Sequence, residues 1–110
     1  MVTDNVYSFI GLAMKAGKVV SGEQSCEKII KCHKAFLVIV SEDASFNTVK
    51  KFTDDCSYNG VPFLQFGEKE RLGKSIGKDL RSVIAITDEG FSKRLTELIT
   101  ENKQKNTGVG

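Results

Sequence analysis

The stretch that decides the fold is Lys18-Val-Val-Ser-Gly-Glu-Gln-Ser-Cys-Glu-Lys-Ile-Ile-Lys31. It begins as a short apolar strand, breaks at Ser21-Gly22, and continues with the spacing of an amphipathic helix. The apolar side of this predicted helix consists of Cys26, Ile29, Ile30 and His33. Its polar side carries Gln24, Ser25, Lys28 and Lys31. Because the start of a helix attracts anions, that polar side suits a phosphate backbone and exposed base edges.

The same polar side has a plainer interpretation, a solvated helix face, since most amphipathic helices have one. The composition does not decide between the two. A chain of 110 residues predicts one domain with one core, and a net charge of +2 allows a local basic patch without indicating a nucleic-acid partner by itself. The sequence has no run of about 18 apolar residues and no basic leader, so a cytoplasmic protein without a membrane segment is expected.

Predicted helices alternate with short apolar strands along the chain. Helices are expected at residues 3–15, 22–33, 46–58, 67–76 and 88–101, and strands at 19–20, 36–40, 63–66 and 82–86. This order predicts one α/β domain over residues 1–101, with helices on both faces of a small sheet, and a frayed tail over residues 102–110. Ligands of such sheets favour the loops at strand ends, here Ser21-Gly22 and residues 77–81.

Little in the sequence supports metal or nucleophile chemistry. The three cysteines, Cys26, Cys32 and Cys56, lack the spacing of a zinc site, and Cys26 and Cys56 fall on apolar helix sides as reduced core thiols do. His33 closes the apolar side of its helix and is expected to be a structural contact. With no Ser/His/Asp or Cys/His constellation, the sequence predicts no enzyme, no metal and no cofactor.

One stretch resembles a nucleotide-binding phosphate loop. Residues 67–75 follow a predicted strand and end in Gly73-Lys-Ser75, and Asp88 after a later strand resembles a metal-holding aspartate. The motif G-x-x-x-x-G-K-[ST] has four residues between its glycines, whereas five separate Gly67 from Gly73. Such a loop cradles phosphates with backbone N–H groups, which an extra residue would misplace. A nucleotide-binding enzyme is therefore the weakest of the functional hypotheses.

Five segments of the chain follow the order and spacing of a known family. They are Gly11-Leu-Ala-Met-Lys-Ala-Gly-Lys18, Val20-Ser-Gly22, Phe36-Leu-Val-Ile-Val-Ser-Glu-Asp-Ala-Ser45, Leu72-Gly-Lys-Ser-Ile-Gly77 and Val83-Ile-Ala-Ile-Thr-Asp-Glu-Gly-Phe91. Together they resemble the kink-turn RNA-binding ribosomal protein family, which includes L7Ae and L30e-like proteins, and in particular its bacterial YlxQ branch. The resemblance covers about residues 5–100.

This resemblance implies a three-layer α/β/α sandwich with a small mixed four-stranded sheet. It also implies binding to a sharply bent RNA loop that contains sheared G·A pairs. In the family, the motif G-x-N-E-x-x-K after the first strand meets the guanine edges of those pairs. Here Gly22 and Lys28 match the motif, Gln24 replaces the Asn with a similar amide, and Ser25 replaces the Glu and removes a carboxylate acceptor.

A second family contact is the loop before the last strand, here residues 77–81 with Lys78, Leu80 and Arg81. The resemblance implies that Leu80 can pack on an unstacked nucleotide. Further lysines surround the polar helix side and can meet phosphates, namely Lys15, Lys18, Lys31 and Lys34.

We therefore expect a non-enzymatic, ribosome-associated protein that recognises a kink-turn in structured RNA. Because Ser25 departs from the family motif, the alternative is a protein-interaction or ribosome-assembly module of the same fold with a weakened RNA site. A monomer is expected, with no membrane contact and no small-molecule cofactor. The RNA target is left open, with ribosomal RNA as one candidate.

Overall fold

The structure, a computed structural model, describes the backbone of residues 2–108 and the side chains of residues 4–103. Within that range the chain forms five helices, α1 (Val2–Lys15), α2 (Glu23–Lys31), α3 (Phe46–Asn59), α4 (Lys69–Ser75) and α5 (Glu89–Gly108). It also forms four strands, β1 (Val19–Ser21), β2 (Leu37–Val40), β3 (Phe63–Gln65) and β4 (Val83–Ile86). Each predicted helix and strand is present, with ends that differ by a few residues.

The four strands form one mixed sheet in the order β1-β4-β2-β3. β4 lies antiparallel between β1 and β2, and β3 pairs parallel with β2. Because β4 is central, the loop that precedes it lies beside the end of β1, although the two are far apart in sequence. The predicted small mixed sheet is confirmed.

The core consists of one apolar cluster on each face of this sheet. Neighbouring strand residues point to opposite faces, so β2 and β4 contribute to both clusters. Toward α1, α4 and α5 they present Leu37, Ile39, Ile84 and Ile86. Toward α2 and α3 they present Val38, Val40, Val83 and Ala85. Burial on both faces explains the continuous apolar runs of these strands, and the three-layer α/β/α sandwich is confirmed.

The free thiols follow the predicted pattern, because Cys26 and Cys56 are buried while Cys32 is exposed. Burial raises the pKa of the Cys26 thiol to about 12 and that of Cys56 to about 11. Both groups therefore remain protonated at neutral pH, as inert core thiols do.

The end of α2 differs from the prediction. The helix ends at Lys31, and His33 is exposed with a φ of 60°. The N–H of His33 donates to the Ile30 carbonyl and that of Lys34 to the Ile29 carbonyl, both at 3.1 Å. A left-handed residue commonly ends a helix in this way, although glycine is the usual choice. The prediction that His33 closes the apolar side of the helix was wrong.

The last helix extends further than the sequence predicts. α5 continues to Gly108, and Asn102 is buried although the predicted tail begins there. The backbone of this tail is helical as far as Gly108, while residues 109 and 110 lie outside the described residues. The domain boundary at residue 101 stays a prediction. Among residues 2–108, no helix combines the length and the apolar character that crossing a bilayer requires.

Candidate nucleic-acid interface

Three strands end at the same edge of the sheet. β1, β2 and β3 run in one direction and β4 in the other, so the ends of the first three lie beside the beginning of β4. We call this the upper edge, marked by Ser21, Val40, Gln65 and Val83. Because α2 and α3 follow β1 and β2 directly, both helices begin at the upper edge. The N-terminal N–H groups and dipoles of both helices contribute positive potential at this edge.

The N-cap residue of α2 is Gly22, so the start of this helix has no side-chain cap. Gly22 has φ 94° and ψ 153°, a conformation that is essentially restricted to glycine. A Cβ at this position would meet no atom within 4 Å, so the backbone conformation rather than crowding requires glycine. The Gly22 N–H donates to the Val83 carbonyl at 3.1 Å, which ties the junction to β4. No side chain caps the first turn of α2, which leaves its N–H groups available to an anion.

The first turn of α2 is fastened to the first turn of α3. Ser45 caps α3 by accepting a hydrogen bond from the Thr48 N–H at 3.2 Å. The Thr48 hydroxyl in turn donates to the Glu23 carboxylate at 3.1 Å. Glu23 is therefore engaged by α3, while Gln24 and Ser25 beside it are exposed at the upper edge.

The loop before β4 meets the end of β1. Arg81 Nε donates to Ser21 Oγ at 3.2 Å, and the Arg81 N–H donates to the Lys69 carbonyl at 3.0 Å. The guanidinium also donates to the Leu80 carbonyl at 2.8 Å, and the Leu80 side chain remains 58% exposed. The structure thus brings both predicted contact segments to one edge.

The predicted cationic side chains differ in whether they form ion pairs within the protein. Lys28 is exposed and makes no ion pair within the part of the chain that the structure describes. Lys31 lies about 4.5 Å further along α2 than Lys28 and pairs with Glu27 at 3.0 Å. Glu27 also pairs with Lys51 of α3 at 2.9 Å, and hydrogen bonds from Lys51 and Lys31 hold the pKa of the Glu27 carboxyl below its usual value.

Two further predicted lysines, Lys18 and Lys78, lie outside α2. The carbonyl of Lys18, before β1, accepts the Thr87 N–H at 2.9 Å, which places the Lys18 backbone near the opposite edge. Lys78 is exposed in the loop before β4, and its N–H donates to the Gly73 carbonyl at 2.8 Å. Lys78 thus belongs to the loop that reaches the upper edge, whereas the Lys18 backbone lies away from that edge.

Sequence reasoning missed three side chains near this interface. Two of them are Glu23 and Glu27, which lie on α2 itself and bond to Thr48 and Lys51 of α3. The spacing of Glu27 and Lys31 predicts their ion pair, but nothing in the sequence indicates the contact with Lys51. The third is Phe46, which begins α3 at the upper edge with 78% of its surface exposed.

The stretch that resembles a phosphate loop does not form one. α4 begins at Lys69, so Gly73 lies inside the helix rather than in a loop. A Cβ on Gly73 would overlap the Asp79 carbonyl, and a Cβ on Gly67 would overlap the Tyr7 hydroxyl. Close packing therefore explains both glycines. Among the described residues, no group of three or more His, Cys, Asp or Glu side chains could hold a metal ion.

Comparison with known proteins gives consistent matches over most of the chain. Residues 4–96 match the Ribosomal protein L7Ae/L30e/S12e/Gadd45 family. The RNA-binding protein YlxQ of Bacillus subtilis (strain 168) is 47% identical over 93 residues, which cover 84% of this chain and 93% of that protein.

Solved structures agree with the fold. A Bacillus halodurans C protein described as having unknown function superposes with a TM-score of 0.83 at 38% identity, covering 86% of this chain and 96% of the other. The Giardia lamblia 15.5kD RNA binding protein superposes with a TM-score of 0.76 at 20% identity, covering 91% and 86%. At 20% identity, the similarity to the Giardia lamblia protein shows the fold alone.

Proposed function

Because this chain belongs to the Ribosomal protein L7Ae/L30e/S12e/Gadd45 family and is 47% identical over 93 residues to an RNA-binding protein YlxQ, we propose that it binds structured RNA at a kink-turn. The role is non-enzymatic and is carried out in the cytoplasm by a monomer, in association with the ribosome. The observation that carries the proposal is the uncapped first turn of α2, with exposed polar side chains beside it at the upper edge.

Recognition uses two kinds of contact. Gln24, Ser25 and Lys28 face guanine edges, which a sharply bent RNA exposes in its opened groove. The side-chain amide of Gln24 can donate and accept at once, and Lys28 lies one helical turn after it, so both can reach one groove. The free N–H groups of α2 and the outlying lysines meet phosphates, which position the RNA without reading its sequence.

The loop before β4 completes the site on one side. The exposed Leu80 side chain packs against an unstacked nucleotide, and the hydrogen bond from Arg81 to Ser21 holds the loop against β1. Since Nε of Arg81 donates to Ser21 and one outer nitrogen donates to the Leu80 carbonyl, the remaining N–H groups of the guanidinium face a phosphate.

The alternative is a protein-interaction or ribosome-assembly module with a weakened RNA site. The departure at Ser25 favours it, because a hydroxyl is a weaker acceptor for guanine N–H groups than the carboxylate of the family motif. In that case the upper edge would keep its positive potential but lose its preference for the bent RNA.

A titration with two RNAs tests the proposal. One RNA contains a kink-turn, and the other has Watson–Crick pairs in place of the G·A pairs and is therefore straight. We expect clearly tighter binding of the kink-turn, with log K falling linearly as log salt rises, by up to about 0.9 for each phosphate contact and less for single strands. Equal affinity for both RNAs would favour the weakened site, and no binding of either would overturn RNA binding.

A further inference from the structure

An exposed aromatic ring lies next to the proposed RNA site and has no role in the core. α3 directs Phe52 and Cys56 inward, whereas Phe46 on its first turn remains 78% exposed. A single exposed apolar side chain is ordinary on a protein surface, and Tyr58 on the last turn of α3 is 91% exposed. Phe46 differs from Tyr58 in its position, because only Phe46 lies at the upper edge.

The start of α3, which carries the ring, is fixed by the hydrogen bonds that join α3 to α2. Ser45 fixes the start of α3, and Thr48 binds Glu23 of α2 at 3.1 Å. Side chains lean toward the N-terminus of their helix, so Phe46 leans toward the upper edge. The exposed Leu80 lies at the same edge, in the loop that Arg81 holds against β1. The upper edge therefore carries two exposed apolar side chains, Leu80 and Phe46, in addition to the polar first turn of α2.

The charges around the ring favour a base over a phosphate. The loop before α3 carries the exposed carboxylates of Glu42 and Asp43. The nearest lysine along the helix, Lys50, pairs with Asp54 at 3.1 Å. A phosphate approaching Phe46 would thus meet repulsion, whereas a neutral nucleobase would meet an aromatic face.

We infer that Phe46 stacks on an unpaired nucleobase of the bound RNA, separate from the nucleotide that packs on Leu80. Aromatic side chains are the usual platforms for bases that have left the helical stack. This inference rests on the proposed function and adds to it a contact on the α3 side of the site. It predicts that the protein prefers kink-turns with an unpaired nucleotide within reach of α3.

Fluorescence tests the contact directly, because the chain contains no tryptophan. Phe46→Trp introduces a single indole at the proposed platform, and Tyr58→Trp introduces one at the far end of the same helix. On addition of kink-turn RNA, we expect the emission of the Phe46→Trp protein to be quenched and that of the Tyr58→Trp protein to stay constant. Binding without any change in the emission of the Phe46→Trp protein would overturn the inference.

Affinity provides the second readout. Phe46→Ala should weaken binding of the kink-turn by about 5- to 100-fold, and Phe46→Trp should retain wild-type affinity. Tyr58→Ala should bind like the wild-type chain. Since the Phe46 ring is exposed, Phe46→Ala should unfold at the same temperature as the wild-type chain, which excludes a folding defect as the cause.

Abasic substitution of each unpaired nucleotide in turn identifies the base. At the stacked position, the wild-type chain should lose affinity while Phe46→Ala loses none. If wild-type protein binds the kink-turn but Phe46→Ala binds equally well, the stacking contact is wrong and the proposed function stands. If wild-type protein binds no RNA, the proposed function itself fails.

Discussion

The helices α2 and α3 both begin at the upper edge, but they differ in the residues that cap their two ends. α3 has Ser45 as a side-chain cap at its start and Gly60 in the left-handed conformation at its end. α2 begins at Gly22 without a side-chain cap, and its left-handed residue is His33 rather than glycine. α3 therefore has the features that stabilise a helix, whereas α2 leaves its first N–H groups unsatisfied. We interpret this difference as the cost of keeping the start of α2 open to an anion.

The largest effect is expected at Gly22. Gly22→Ala places a Cβ in a conformation that only glycine readily adopts, and should destabilise the protein by about 1–3 kcal/mol. It should also weaken RNA binding, because the start of α2 would shift. Urea denaturation measures the first effect. Gly60→Ala is the matched control at the end of α3, where φ is 69° and ψ 31°, and should cost about 1 kcal/mol. Wild-type stability of Gly22→Ala would show that the α2 start is not restricted to glycine.

Two lysines of α2 provide a comparison on one helix. Lys28→Ala should weaken kink-turn binding by about 1–3 kcal/mol, as for the loss of a base-edge contact. Lys31→Ala should cost less than about 1 kcal/mol, because Lys31 is paired with Glu27 and lies away from the upper edge. Titrations at one salt concentration measure both. A larger loss for Lys31→Ala would mean that the RNA follows the end of α2.

The cap of α3 should matter for stability more than for binding. Ser45→Ala removes the acceptor of the Thr48 N–H and should cost about 1 kcal/mol in the free energy of unfolding. Ser57→Ala, at an exposed position of the same helix, is the control and should unfold like the wild-type chain. Should Ser45→Ala prove neutral, the cap would not be what distinguishes α3 from α2.

The smallest effect is expected at the end of α2. His33→Gly relieves a left-handed conformation at an exposed position and should stabilise the protein by about 0.5–1 kcal/mol, without changing RNA affinity. Thermal unfolding measures it. Destabilisation by His33→Gly would mean that the imidazole makes a contact that stabilises the fold.

Local patterns in the sequence predict most of this fold. The helical spacing of Cys26 and Ile30 correctly predicts their burial. His33 was misplaced because the same spacing continues beyond Lys31, where the backbone turns left-handed.

Tyr7 is a core residue that the pattern misses, because its hydroxyl makes it look polar. Its ring packs against Phe66 with centroids 5.2 Å apart, and its hydroxyl accepts the Glu68 N–H at 3.2 Å. The partner of that hydroxyl lies far along the chain, so no local pattern can indicate it.

The sequence predicts the separate segments of the candidate site but not how they come together. The junction after β1 and the loop before β4 both follow from strand ends, but their meeting depends on the central position of β4. Alternation of helices and strands does not determine that order. The pairing of Glu27 with Lys51 depends likewise on how α2 and α3 pack.

The most direct test of the central claim uses Gln24, which lies on the open first turn of α2. Wild-type protein and Gln24→Ala are titrated with the kink-turn RNA and with its straight Watson–Crick counterpart at one salt concentration. If α2 reads guanine edges, Gln24→Ala should lose about 1–3 kcal/mol of binding free energy on the kink-turn and nothing on the straight RNA. An equal loss on both RNAs, or no loss on either, would contradict the assignment of this helix start as the part of the protein that recognises the bend.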